Sequence, residues 1–179
     1  LAKHNATDEA LRRPNEISHL AAANRNQPSP FTRRGPSVKG AIKPDLMAYA
    51  GNYACAMRFE GSQWQFIPRG MGVLTCNHNF MGNTLLTEIA GTSFSAPYIT
   101  HLAAKILKEY PAASANLLRC LLLSQSEDVK ECASTFNEKL TEDYSTKYGA
   151  RRSPQRDISG LGTVYEDNLY RSSEDVVVL

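Results

Sequence analysis

The residues best suited to chemistry are Gly91-Thr92-Ser93-Phe94-Ser95-Ala96-Pro97, because they lead straight into an apolar-periodic stretch. A serine at a helix entrance lies among backbone N–H groups that have no intrahelical acceptor. The positive end of the helix dipole lies there too. If Ser93 Oγ attacked a carbonyl carbon, those N–H groups could hold the oxyanion that develops. Gly91 lets the chain turn with no side chain in the way, and Ala96 allows close helix packing. The plain alternative is that Ser93 or Ser95 only caps the helix. The nucleophile elbow Gly-x-Ser-x-Gly does not fit, since position 95 is Ser.

Other reactive groups are weaker candidates. His101 follows Ser93 on what reads as the same helix, which separates the two by about 12 Å along the axis. A general base must come within about 3 Å of its proton donor, so His101 reads as a buried or polar-face residue. His78, between Asn77 and Asn79, is unconstrained by its neighbours and stands as a possible local base. His4 and His19 fall in a polar leader. Cys76-Asn77-His78 offers two metal ligands, but no second pair has zinc spacing, and a turn is expected. Asp45 is expected to have a structural, hydrogen-bonding role. Cys55, Cys76, Cys120 and Cys132 include no Cys-x-x-Cys pair and are expected to be reduced, mostly buried thiols.

The elements that must position Ser93 can be read from periodicity. Ala96, Ile99, Leu102, Ala103, Ile106 and Leu107 recur at three and four, which predicts a helix over 95–109 with Pro97 in its first turn. Tyr110-Pro111 ends it. A second helix is predicted over 114–124. Residues 3–28 read as an irregular polar excursion. Residues 42–49 read as a short strand that Pro44 confines to a strand start or edge, closed by a turn at Gly51-Asn52. Residues 53–88 read as a β-rich hairpin insertion, with strands at Trp64–Ile67 and Gly72–Cys76. Residues 125–157 read as loop with some helix, Gly160–Val164 as a turn, and Val176–Leu179 as a final strand.

Composition narrows the class. There are 179 residues, with 20 Lys plus Arg against 18 Asp plus Glu and a net charge of +2. Such a balance gives no electrostatic case for nucleic acid. No apolar run approaches the roughly 18 residues of a membrane span, so no membrane partner is expected. The chain opens Leu1-Ala2-Lys3-His4 with no signal-peptide pattern. The reduced-looking cysteines lean towards a cytoplasmic setting.

Gly91-Thr92-Ser93-Phe94-Ser95-Ala96-Pro97, followed by a small-residue helix, resembles the nucleophile motif of the subtilisin-like serine proteases, the subtilases. Three more segments fall in the order that family requires. Ser29-Pro30-Phe31-Thr32-Arg33-Arg34-Gly35-Pro36 is similar to its Phe-Ser-x-x-Gly-Pro piece, and Lys43-Pro44-Asp45-Leu46 to its Lys-Pro-Asp strand. Gly160-Leu161-Gly162-Thr163-Val164 is similar to its late Gly-x-Gly-x-Val. The resemblance spans about residues 29–164. It implies an α/β, three-layer fold with a parallel sheet, polypeptide substrates, and Ser93 as the catalytic nucleophile. Members of the family often bind calcium at loops and many are secreted, but no Asp-rich loop here argues for calcium, and no cofactor is expected.

The departures matter as much. Ala48-Tyr49-Ala50-Gly51 replaces the usual Ala-Pro-Gly, and Tyr98 stands where a His is usual. His101 stands where compact members have Gly. The family's Asp-[Ser/Thr]-Gly and His-Gly-Thr motifs do not occur in these residues. Ala50-Gly51-Asn52 has the letters of the oxyanion segment, but lies after the Lys-Pro-Asp strand and reads as a loop. Residues 1–179 are therefore expected to be the C-terminal portion of one catalytic domain, inactive alone, whose missing N-terminal half supplies Asp, His and Asn. Two other classes stand beside that reading: a non-catalytic binding or assembly module that keeps the scaffold, and a hydrolase pairing Ser93 with His78.

Overall fold

A computed structural model describes residues 1–2, 20–57, 64–67, 70–82, 84–150 and 152–169. The chain forms two compact units. One comprises Leu1–Thr32 and Tyr49–Phe94, the other Arg33–Ala48 and Ser95–Leu179.

The first unit is β-rich, in the region where the sequence predicts strands. Strands β1 (Leu20–Ala21), β2 (Ala54–Met57) and β3 (Trp64–Ile67) form an antiparallel sheet in that order. Its register pairs Leu20 with Cys55 and Ala54 with Ile67. Strands β4 (Val73–Cys76) and β5 (Leu86–Ile89) form a separate antiparallel hairpin, with Val73 opposite Ile89 and Cys76 opposite Leu86. β1 corrects the expectation of an irregular excursion at residues 20–21. A two-residue strand has no period to read, and it exists because β2 offers it a free edge. The part of the excursion over 3–19 lies outside the described residues.

Among the described residues of this unit, the buried polar side chains Asn52 and Ser29 are partnered, as burial demands. Asn52 is fully buried. It donates to the Ala23 carbonyl at 2.6 Å and accepts from the Tyr53 N–H at 2.9 Å. Ser29 Oγ donates to the Gly51 carbonyl at 2.7 Å. Phe31 stacks obliquely on Tyr53, with ring centroids 5.3 Å apart. The Ala50-Gly51-Asn52 segment is thus a structural loop.

The second unit is helical: α1 (Thr92–Glu109, its first three residues in the other unit), α2 (Ala115–Ser124), α3 (Lys130–Ala133), α4 (Glu138–Tyr148) and α5 (Pro154–Ser159). Its core is Leu102, Ile106, Leu122 and Val164, with Ile99, Ala103, Leu118 and Leu121 packed on it. The predicted stripe on α1 is narrower than expected. Leu107 is exposed because it sits about 140° around the helix from Leu102. Ser114 caps α2, accepting from the Leu117 N–H at 3.2 Å. Residues 125–157, read as loop with some helix, contain α3 and α4 and the start of α5. α4 has little apolar periodicity, since Tyr144 is its buried residue, and it is set by its cap, where Asn137 Oδ1 accepts from the Leu140 N–H at 2.8 Å.

Two motif segments meet in this unit. Met47 bridges Thr163 in parallel, and Thr163 bridges Glu127 antiparallel. The Leu161 N–H donates to the Asp45 carbonyl at 2.9 Å, the Met47 N–H to the Gly162 carbonyl at 2.7 Å, and Thr163 Oγ1 to the Met47 carbonyl at 2.9 Å. The strand expected over 42–49 is reduced to the Met47 bridge, because Pro44 has no N–H to extend a ladder. Asp45 pairs with Lys43, and both are partly exposed. The named strands pair antiparallel among the described residues, and the parallel pairing is the Met47 bridge. The predicted strand at Val176–Leu179 lies outside the described residues.

A buried carboxylate anchors the other matched segment. Asp157 is 1% exposed and accepts from Tyr144 OH at 2.7 Å and from Arg152 Nη1 at 3.4 Å. Its backbone carbonyl accepts from the Gly35 N–H at 2.6 Å. Arg34 donates to Tyr144 OH at 3.1 Å and to Tyr148 OH at 2.7 Å, with its guanidinium 4.7 Å from the Tyr148 ring centre. The Arg34 hydrogen bond and charge hold the Tyr148 phenol below its usual pKa.

Gly160 and Gly162 have φ of 62° and 100°. A Cβ would overlap the Pro44 carbonyl oxygen at the first and the Glu127 carbonyl oxygen at the second. Gly162→Ala should therefore destabilise by about 3 kcal/mol or more. Gly149, with φ of 108° but open space around it, should lose only about 1 kcal/mol on the same change. Urea unfolding of the two variants checks the difference.

Lys105 pairs with Glu166 and holds the Glu166 carboxyl below its usual range, through the hydrogen bond first and charge second. A depressed carboxyl stabilises the fold above its unfolded pKa of about 4.3, and that contribution disappears as pH falls through the lower folded value. Glu166→Gln should lower the unfolding midpoint at neutral pH, and the gap should close in acid.

Candidate nucleophile site

The turn before α1 is held by its main chain. The Gly91 N–H donates to the Ala50 carbonyl at 2.9 Å, and the Phe94 N–H to the Gly91 carbonyl at 3.1 Å. Ser95 Oγ donates to the Ala48 carbonyl at 3.2 Å. Bonds on either side of Ser93 thus fix the backbone while its own side chain stays exposed. Gly91 has no neighbour closer than the Ser93 nitrogen at 4.0 Å from a built Cβ, so the approach to Ser93 is open on that side.

α1 begins at Thr92, three residues before its predicted start. This moves Pro97 from the first turn into the helix interior. Pro97 has no N–H to give the Ser93 carbonyl four residues back. The first helical turn also leaves its N–H groups without intrahelical acceptors. Ser93 therefore sits inside the helix, not in front of it, and of the two serines weighed as caps, Ser95 bonds a carbonyl of another segment. The apolar stripe begins only at Ala96, so periodicity carries no signal for the turn that precedes it. The helix extends back because Gly91 accepts from Phe94.

His101 is exposed on α1, beyond a general base's reach of Ser93 along the axis. Its positive form, with Lys105, would add to the field lowering Glu166. His78 is exposed in the turn of the β4–β5 hairpin, next to the Cys76–Leu86 pair. The chain reaches Ser93 from the opposite end of that hairpin, through Ile89. Tyr98, at the position where the resemblance leads one to expect His, is half-buried, and its phenol is pushed up by burial and by Glu166. Four cysteines are unpaired. Cys76 and Cys120 are exposed, which corrects the expectation that the thiols are mostly buried: Cys76 lies on the hairpin and Cys120 on the outer face of α2. Cys132 is buried beside Ser159 Oγ at 2.9 Å, and burial pushes its thiol up. Among the described residues no group of three His, Cys, Asp or Glu side chains could hold a metal ion.

Ser95→Ala should cost about 0.5–1.5 kcal/mol through the lost bond to Ala48. Ser93→Ala, at an exposed side chain, should stay within about 0.5 kcal/mol of the parent. Thermal and urea unfolding of both variants measures this.

The chain is 43% identical over 105 residues to "Uncharacterized protein y4bN" of Sinorhizobium fredii (strain NBRC 101917 / NGR234), covering 57% of this chain and 23% of that protein. It is 50% identical over 42 residues to "Neisserial autotransporter lipoprotein NalP" of Neisseria meningitidis serogroup B, strain ATCC BAA-335 / MC58, covering 24% of this chain and 4% of that protein. The same protein of strain H44/76 matches equally. The matched stretches thus span less than a quarter of these relatives' length. No solved structure matches. Residues 5–150 match the Subtilase family, Peptidase_S8, and the chain belongs to that family of serine peptidases.

Proposed function

We propose that this chain is the nucleophile-bearing C-terminal portion of a subtilase catalytic domain, an endopeptidase that forms an acyl-enzyme on Ser93. The observation that carries the reading is the exposed Ser93 side chain in the first turn of α1, with backbone bonds on both sides of it. The family's Asp and His motifs are absent from these 179 residues, so the acid–base partners come from polypeptide N-terminal to them. The completed domain would have the parallel, three-layer sheet of the family, with residues 53–88 as an insertion. No cofactor takes part. Four unpaired thiols fit a reducing compartment.

In that domain a His takes the Ser93 hydroxyl proton as Oγ attacks the peptide carbonyl carbon, and an Asp orients the His. The Ser93 N–H and an Asn side chain hold the oxyanion. Collapse breaks the C–N bond, and the His returns the proton to the leaving amine. Water, deprotonated by the same His, then hydrolyses the ester and frees Ser93. Missing base and oxyanion donor together account for the inactivity expected of residues 1–179 alone. For subtilisin itself, the family's reference case, loss of the His costs about 10⁶ in turnover.

The test is hydrolysis of an unfolded, dye-labelled polypeptide by these residues joined to the upstream segment that carries Asp and His. Activity should appear only in the joined protein. It should vanish with Ser93→Ala, while Ser95→Ala keeps it within about tenfold of the parent, since Ser95 only positions the turn. Full activity of the Ser93→Ala protein would contradict the assignment.

A further inference from the structure

The second unit holds a cavity of about 550 Å³ between residues 126–128, the start of α5 and Leu161. Hydrogen bonds fix its walls. Glu127 and Thr163 exchange both N–H···O bonds at 2.9 Å, which lays 126–128 beside the turn that follows α5. The Ser126 N–H and Oγ both donate to the Leu123 carbonyl, at 3.2 and 2.7 Å. α5 is anchored through Asp157, whose buried carboxylate accepts from Tyr144 OH and Arg152, while Arg156 beside it is exposed. The polar residues around the cavity are Ser126, Asp128, Ser153, Gln155 and Arg156, and Leu161 adds an apolar edge.

Two full charges of opposite sign line this one cavity without pairing. Among the described residues the ion pairs are Lys43–Asp45, Lys105–Glu166 and Arg152–Asp157, and neither Asp128 nor Arg156 enters them. Ser153 makes no side-chain cap bond to α5, and Ser126 Oγ, its proton already donated, keeps lone pairs that can accept. These groups select a class of ligand. A simple anion would meet the Asp128 carboxylate. A metal ion would find one carboxylate where it needs several ligands, and a guanidinium in the same cavity. An apolar ligand would strand both charges. A molecule with a cationic and an anionic end satisfies them: an ammonium donates to Asp128, and a carboxylate accepts from the forked N–H groups of Arg156. The volume lies in the range of small-molecule sites. We propose that this cavity binds a zwitterionic amino acid or short peptide, with its free ammonium on Asp128 and its free carboxylate on Arg156. None of these residues belongs to the nucleophile turn, so the site does not depend on the role of Ser93.

The test is a nuclear magnetic resonance titration of the isotope-labelled intact chain, at neutral pH and low salt, with alanine and trialanine as probes. Amide signals of residues 126–128 and 155–161 should move. Acetylating the amine of the probe, or amidating its carboxylate, should each weaken binding at least about tenfold, as loss of a charge-assisted contact does. Asp128→Asn should bind the free and acetylated probes alike while still discriminating against the amide, and Arg156→Gln should do the reverse. A variant that merely misfolds would not exchange these two preferences. Arg119→Gln, at an exposed position of α2, should bind as the parent does. Tighter binding of trialanine assigns a peptide and equal binding an amino acid, and either supports the proposal. A parent chain that binds neither probe overturns it, as does equal binding of a probe blocked at both ends. So does loss of binding once the upstream polypeptide is joined, which would mean that protein fills the cavity.

Discussion

The segment from Asp45 to Ala50 is the constraint on which the rest depends. Met47, Ala48 and Ala50 are almost fully buried, and buried backbone groups need partners. Those partners are the other motif segments. The Asp45 and Met47 carbonyls accept from Leu161 N–H and Thr163 Oγ1. The Ala48 and Ala50 carbonyls accept from Ser95 Oγ and the Gly91 N–H. The Met47 N–H goes to Gly162, and the Ala50 N–H to Leu1. The turn that carries Ser93 is therefore held by the main chain of Gly91 and Phe94 and by the Ser95 hydroxyl, not by the Ser93 side chain.

Glycine chemistry makes that bonding possible. Gly160 and Gly162 come so close to the carbonyls of Pro44 and Glu127 that no side chain fits. Their backbone also has positive φ, which other residues adopt at a cost. Lys43–Leu46 and Gly160–Val164, the two segments set beside family motifs in the sequence, are halves of one contact. The Arg34–Tyr144–Asp157 network does the same for the Gly35 segment, using a buried carboxylate satisfied by Tyr144 and Arg152.

Much of this was legible in the sequence where a local signal was strong. The stripe on α1, the helix predicted over 114–124 and the strands at Trp64–Ile67 and Val73–Cys76 follow from periodicity and turn residues. The Ser motif, through its seven-residue pattern, pointed to the family that the chain belongs to. Three features were not legible. α4 carries little apolar periodicity and depends on Asn137, which alone reads as a loop residue. β1 has two residues and exists because of its neighbour. The strand expected at 42–49 was promised by side-chain type but limited by a missing N–H, so only Met47 pairs. The exposure of Cys76 and Cys120 reflects tertiary placement, which composition averages away.

The central claim is that Ser93 is a nucleophile positioned within these residues but activated from outside them. A fluorophosphonate probe reports this directly, because it forms a covalent bond only with an activated serine. Mass spectrometry of labelled peptides, with Ser93→Ala as control, would locate the adduct. The account predicts no adduct on residues 1–179 alone and an adduct confined to Ser93 when the upstream Asp- and His-bearing segment is joined. Labelling of Ser93 in the isolated residues would contradict it, and would mean that a base within this chain does the work.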